Sequence, residues 1–311
     1  MSKIKKAIKD YLYSPACPEF VSNAYFLKKD SKDRERFFHL VRIGADLMSG
    51  VEQQAHDHWN ERIQNVLNAG DNEYIPRNEK AGQLIGDELI MHNGLRIDPM
   101  SYYGLALMKM LIENGGVHEP QEEKIFQEVL KALKPESPLN MLELGAYWSF
   151  YSMWLLSLFP QAKCFMVEPD KKNLYYGKQN FKINGFTGQF VQAGIGKAVN
   201  KSRLITTVDE QCQTHNIEFL DILHSDIQGY ELEMLEGSQK MLSENRIGYA
   251  FISTHSNELH DACRDHLLGF EFEEVASANL DESWSWDGIL VMKAPHYEGL
   301  NHVEITKRKA S

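Results

Sequence analysis

Two groups of side chains in this 311-residue chain have types and spacing suited to chemistry. The first is His224-Ser-Asp226, followed later by His255 and His260. His224 and Asp226 lie at the end of an apolar run, Asp221–Ser225. His255 closes the next run, Gly248–Ser253, and both runs read as strands. Residues two apart on a regular strand point to the same side, which pairs His224 with Asp226. With His255 on the neighbouring strand, the set is two imidazoles and one carboxylate. Such donors suit a divalent metal such as Zn, Fe, Mn or Ni, with open positions for a substrate hydroxyl. They equally suit a metal-free site in which a histidine is the general base and Asp226 orients it or grips a cofactor amine. A third reading has the histidines satisfying backbone groups at strand ends. The sequence leaves these three open.

The second group is a glycine turn with an acid one strand later. Asn140-Met-Leu-Glu143-Leu-Gly145-Ala-Tyr-Trp148-Ser149 is an apolar strand entering a turn and then a helix. In doubly wound sheets ligands bind beyond the carboxyl ends of the strands. Gly145 would let backbone approach a ligand with no Cβ in the way. Glu168 ends the next strand and is placed to accept the hydroxyls of a ribose. The GxGxxG pattern that admits a pyrophosphate is missing. A cofactor with a ribose and no phosphates therefore fits best, and S-adenosylmethionine is such a cofactor. Glu143 would attract its cationic amino-acid part, and Trp148 is the aromatic residue best placed to line its pocket. An NAD-dependent oxidoreductase on a similar sheet, or a non-catalytic cofactor- or metal-binding protein, are the alternatives.

The elements that must position these groups fall into two textures. After Pro138, strands expected at Asn140–Leu144, Lys163–Val167, Gln189–Ala193, Asp221–Ser225, Gly248–Ser253, Glu271–Val275 and Gly288–Met292 alternate with helices. The helices are expected at Ser149–Phe159, Lys171–Ile183, Glu231–Ser243 and Leu259–Leu268. This βα alternation predicts an α/β fold with a mostly parallel sheet covered on both faces. Before Pro135 the chain reads as mostly helical, with helices at Asp33–Met48, Val51–Leu67, Ser101–Asn114 and from Pro120 through Leu133. One hairpin is expected about Asn93-Gly94, a pair that favours a type I′ turn. The expected division is thus 1–134, a possible lid or substrate-binding part, and 135–311, the cofactor-binding domain. Tyr102, Tyr103 and His118 closely precede the first strand, so the helical part is expected over the carboxyl ends of the strands.

Composition narrows the partners. The net charge is −11, which lacks the overall field of a nucleic-acid binder. No apolar run approaches the ~20 residues that span a bilayer, and the opening MSKIKKAIKD has no apolar stretch of the secretory kind. Cys17, Cys164, Cys212 and Cys263 are isolated, which favours reduced thiols and a cytoplasmic location.

The motifs together resemble the FkbM-type S-adenosylmethionine-dependent methyltransferases. The resemblance rests on Glu143-Leu-Gly145-Ala, Val167-Glu168-Pro169, Asn173, Asn180, Asn184, Thr207-Val208-Asp209 and Asp226-Ile-Gln-Gly229-Tyr-Glu231 with Leu235-Glu236-Gly237 behind it. It covers about Asn140 to Lys293. It implies a Rossmann-like class I methyltransferase sheet of seven strands with the last antiparallel. It also implies methyl transfer, mostly to oxygen, on small metabolites, sugars or natural products. Three positions depart from the pattern: Ser149 replaces a glycine, His224-Ser225 replaces a common lysine, and the fifth strand ends Ser253-Thr-His255 in place of an acid.

Overall fold

The structure, a computed structural model, describes residues 3–308. Seven strands form its central sheet: β1 (Asn140–Leu144), β2 (Lys163–Val167), β3 (Gln189–Val191), β4 (Leu220–Ser225), β5 (Ile247–Thr254), β6 (Glu273–Ala278) and β7 (Gly288–Lys293). Their order is β3-β2-β1-β4-β5-β7-β6. β7 runs antiparallel to both its neighbours, and the pairs among β1 to β5 are parallel. This is the order of the class I methyltransferase sheet. Two connections leave in opposite directions from the adjacent central strands β1 and β4, which opens the cleft above their carboxyl ends.

Alternation along the strands divides the core. Met141, Ile222, Phe251 and Val291 face one side, and Leu142, Leu223, Ile252 and Leu290 face the other. The second side is covered by α8 (Val208–Thr214), α9 (Glu231–Glu236), α10 (Gln239–Ser243) and α11 (Asn257–Leu268). The first side carries α6 (Phe150–Leu158) and α7 (Lys171–Asn184). Of the helices that precede the sheet, α2 (Glu19–Arg42), α3 (Gln53–Asn68), α4 (Gly104–Glu113) and α5 (Pro120–Ala132) also pack on this side, and α1 (Lys3–Tyr13) packs against α2. One apolar cluster runs from Phe37, Ile63 and Met108 through Phe126 to Met141 and Phe251. No helix among the described residues is long and apolar enough to cross a membrane.

Several boundaries moved for identifiable reasons. The helix expected at Asp33–Met48 is the end of the longer α2, which starts after Pro18 and stops before the left-handed Gly44. The helix expected over Glu231–Ser243 breaks in two at Gly237, where the Thr207 side chain and the backbone of Gly196 and Lys197 leave no room for a Cβ. The strand expected at Glu271–Val275 begins later, because Glu271 takes a left-handed turn (φ +64°) after α11. The hairpin is present, pairing Leu89 with Ile97 and Ile90 with Arg96. Its turn is not type I′, since Gly94 has positive φ and Asn93 does not; Asn93 instead accepts a side-chain bond from the Leu95 N–H.

Candidate functional site

The turn after β1 places the first groups. Gly145 has φ +68°, and a Cβ there would overlap the Asp226 carbonyl oxygen and sit 2.8 Å from its carbon. The neighbouring strand end thus gives a second reason for a glycine here, beside the backbone approach expected from the sequence. Tyr147 (φ +43°) and Ser149 (φ +62°) also hold left-handed conformations that non-glycine residues seldom adopt. Glu168 supports this turn. One of its oxygens accepts from the Tyr147 N–H (3.1 Å), the other from the Asp170 N–H (2.7 Å). Burial holds its pKa up, at about 7.

Glu168 lines a cavity of about 420 Å³ with Pro169, Ala193, Ile195, Ile227 and Tyr230. Apolar walls with the Glu168 carboxylate among them, and Asp226 on the same lining, suit a nucleoside. The Glu168 carboxylate has about four acceptor sites, so hydroxyl donors can join the backbone N–H groups already there. The residues present therefore fit the adenosine part of S-adenosylmethionine. A second cavity, of about 270 Å³, adjoins it; Tyr103, Gly145, Tyr147, Asp226 and Gln228 line both. The second cavity adds Glu143, Trp148, Tyr151, His224 and Asp287, and, from the N-terminal region, Trp59, Arg62, Tyr102, His118 and Glu119. The helical region thus does reach over the carboxyl ends of the strands. Trp148 lines this second lobe and not the nucleoside lobe; it stacks on Phe150 with centroids 5.1 Å apart.

The two histidines do not share a partner. His224 continues the alternation of β4 toward the side of Ile222, where its Nε2 lies 2.6 Å from Glu122 Oε1 and its ring packs on Tyr151. His255 lies just past β5. Its Nδ1 is 2.7 Å from Glu231 Oε1, and its Nε2 is 3.3 Å from both Asp226 Oδ1 and Asp287 Oδ1. The expected grouping of His224, Asp226 and His255 thus resolves into one contact, His255 with Asp226, and a separate His224–Glu122 pair. The reason is that Asp226 follows the end of β4, where strand alternation no longer holds. Among the described residues no three His, Cys, Asp or Glu side chains are arranged to hold a metal ion.

Electrostatics set the protonation states. Burial alone would lower His255, but hydrogen bonds to Asp226 and Glu231 and the charge of Asp287 outweigh it and raise the imidazole to about 10. Burial likewise opposes charge on His224, and Glu122 overrides it upward. Both shifts favour the imidazolium over the neutral ring. Burial raises Asp287 to about 6, helped by the Asp226 charge, and raises Glu119 to about 8 against the pull of His118. Glu143 is buried, accepts from the Ser152 N–H (3.2 Å), and is raised by burial.

Sequence reasoning missed the acids at the start of α5. Glu122, Glu123 and their neighbour Glu119 resemble ordinary helix N-terminal charge. In the structure Glu123 is buried and faces His118 Nδ1 (2.6 Å) and His92 Nε2 (2.8 Å), close contacts that are not well-aligned hydrogen bonds. It also accepts from the His118 and Glu119 N–H groups. The missed signal was the recurrence of acids beside His118 just before the sheet.

The sheet order defines a class I methyltransferase fold. The family model of the methyltransferase FkbM domain matches residues 203–276, within the stretch whose motifs resemble that family. Three solved structures illustrate the similarity. Methyltransferase FkbM from Methylobacillus flagellatus KT is 17% identical, with 62% of this chain and 56% of that one covered and a TM-score of 0.42. TrmK of M. capricolum, solved with S-adenosyl-homocysteine, is 12% identical over 56% and 69% of the chains, TM-score 0.39. The ribosomal protein L11 methylase of Lactobacillus delbrueckii subsp. bulgaricus is 11% identical over 65% and 86%, TM-score 0.42. No curated protein matches. The FkbM match and the sheet order support an S-adenosylmethionine-dependent methyltransferase.

Proposed function

We propose that this protein uses S-adenosylmethionine to methylate an oxygen of a small hydroxylated molecule. The observation that carries the reading is the cleft above β1 and β4, in which a nucleoside-sized lobe anchored by Glu168 meets a second lobe at Gly145 and Asp226. When bound, the cofactor supplies an electrophilic methyl group on a sulfonium. Glu168 accepts the ribose hydroxyls. Asp226, at the junction of the lobes, and Glu143, in the second lobe, draw the cationic amino-acid part toward the second lobe. Alignment of acceptor and methyl group is the larger contribution, worth about 7–11 kcal/mol in favourable cases.

The acceptor hydroxyl must also lose its proton. Asp287, at about 6, is ionised at neutral pH and faces the second lobe, which makes it the group suited to receive that proton. His255 keeps its own proton and holds Asp226 and Asp287 from behind, a positioning role in place of the basic one expected for it. His224 acts at one remove, fastening Glu122. The region 1–134 supplies the far wall of the acceptor lobe, as a substrate-binding part. The free, buried Cys17, Cys164, Cys212 and Cys263 suit a reducing, cytoplasmic setting.

Calorimetric titration tests the reading. S-adenosylhomocysteine should bind, NAD should not, and Glu168→Ala should weaken the former by about 1–3 kcal/mol. Binding of NAD without S-adenosylhomocysteine would favour the oxidoreductase alternative and end the proposal.

A further inference from the structure

The acceptor lobe holds three cationic or cation-forming side chains, and two are already matched. His118 faces Glu123 and Glu119, and His224 faces Glu122. The third, Arg62 of α3, is 3% exposed and makes no salt bridge among the described residues. Its Nε and Nη1 are sealed from solvent with no hydrogen-bond partner. Its guanidinium lies 5.2 Å from the Trp286 ring centroid, a contact that offsets part of its burial and satisfies neither nitrogen. Buried arginines are normally paired, because an unmatched charge in a dry site is costly. The surroundings of Arg62 are flat rings: Trp59 and Trp286 lie 5.3 Å apart, and Tyr102 packs on Trp148 at 4.8 Å. Arg62 lines the acceptor lobe and not the nucleoside lobe.

We infer that Arg62 is the anion-binding residue for the methyl acceptor, and that the acceptor is a small planar acid whose ring lies among Trp59, Tyr102 and Trp286. The inference rests on the methyltransferase reading above and names its substrate class. A guanidinium presents paired N–H donors that match a carboxylate in its own plane. A singly charged group fits better than a phosphate, because Asp226, Asp287 and Glu143 line the same lobe and would repel a second negative charge. In the transfer itself an oxygen lone pair of the acceptor forms the new bond to the methyl carbon as the carbon–sulfur bond breaks. That bond's electron pair stays on sulfur, giving the neutral thioether, and the hydroxyl proton passes to Asp287.

The test uses the full chain saturated with S-adenosylhomocysteine, titrated with 4-hydroxybenzoate, 4-hydroxybenzamide and 4-hydroxyphenylphosphonate. The quenching of tryptophan fluorescence is the readout. The carboxylate should bind at least about tenfold more tightly than the neutral amide, the gap expected of one charged hydrogen-bonded pair, and more tightly than the phosphonate. Arg62→Met should erase the preference while leaving S-adenosylhomocysteine affinity unchanged and the melting temperature equal or higher, since it removes an unpaired buried charge. Arg62→Lys should keep part of the preference. Equal binding of acid and amide, no binding of any of the three, or tighter phosphonate binding would overturn the inference. So would a tenfold loss of S-adenosylhomocysteine affinity in Arg62→Met, which would assign Arg62 to the cofactor's carboxylate. Failure of the wild-type chain to bind S-adenosylhomocysteine would instead refute the methyltransferase reading.

Discussion

Replacing Gly145 by alanine isolates what holds the cleft open. The residue has φ +68°, where a side chain costs about 1–2 kcal/mol. The added methyl would overlap the Asp226 carbonyl oxygen, and would lie 2.8 Å from its carbon and 3.2 Å from Ile227 Cγ2. The two Asp226 atoms belong to backbone at the end of a central strand, fixed by the Asp226 N–H bond to the Leu144 carbonyl (3.0 Å), so they cannot swing aside. Forcing an extra methyl into packed structure adds about 1–3 kcal/mol. The expected loss is the sum of the two, roughly 2–5 kcal/mol. Gly185 provides the control. It ends α7 with φ +73°, and a Cβ there meets nothing within 4 Å. Gly185→Ala should therefore cost the conformational part alone, about 1–2 kcal/mol. At about 2 °C per kcal/mol for a long chain, the melting temperatures should fall by roughly 4–10 °C and 2–4 °C. Gly145→Ala should also lose S-adenosylhomocysteine affinity, and Gly185→Ala should keep it. Equal shifts in the two variants would refute the claim that the strand-end contact demands this glycine.

Three further outcomes are expected. His118 and His92 override the burial of Glu123 and lower its pKa, so its contribution to stability is present above the ordinary carboxylate range and is lost as pH falls below it. Glu123→Gln should cost about 3–5 kcal/mol at pH 7, read by denaturant unfolding; a loss near zero would mean that the two histidines do not depend on it. Glu168 is raised to about 7, so in the free protein it takes up its proton near neutrality. Affinity for S-adenosylhomocysteine should accordingly fall as pH drops through 7, and a flat calorimetric profile between pH 6 and 8 would count against the ribose role. His255 has a pKa raised from 6.5 to about 10. Its stabilisation is therefore complete below 6.5 and disappears as pH rises toward 10. Glu231→Gln should bring the imidazole titration down, as followed by NMR, and a wild-type ring that titrates at 6.5 would show that its carboxylates do not hold it charged.

The sheet was legible because its strands obey one rule. Runs such as Tyr249–Ile252 and Ile289–Met292 are buried on both faces and so read as continuous apolar segments between turns. Their partners at the strand ends were legible as residue types and not as geometry. Asp226 lies one residue past β4, where no periodicity constrains it, so its contact with His255 and its separation from His224 depended on the path of the turn at Gln228 (φ +58°) and Gly229. Gly145 was legible as a glycine turn, but its steric conflict with the strand end at Asp226 was not. Arg62 and Glu122 were illegible in a stronger sense. Each sits in a polar helical stretch that reads as solvated, and each is buried only because other elements close over it.

That closure explains how an unassigned helical region becomes part of a site built on the sheet. The first turn of α5 reaches in several directions at once. Glu122 contacts His224 at the end of β4 and accepts from Ser253 Oγ near the end of β5 (3.0 Å). Gln121 Oε1 accepts from the Trp284 N–H in the segment before β7 (3.0 Å), and its Nε2 donates to the Thr306 carbonyl (2.7 Å). Glu119 accepts from the Tyr151 hydroxyl of α6 (3.2 Å). Helix-dipole preference explains acids at this turn, but it does not explain why they are buried. Burial is favourable here only because each carboxylate meets a donor from a different element, which fixes the turn against the carboxyl edge of the sheet. The same fixation carries His118 and Glu119 to the acceptor lobe and sets Trp286 and Asp287 opposite Arg62. Changes at the first turn of α5 should therefore be felt at the acceptor lobe before they are felt at the nucleoside lobe, which α5 does not line.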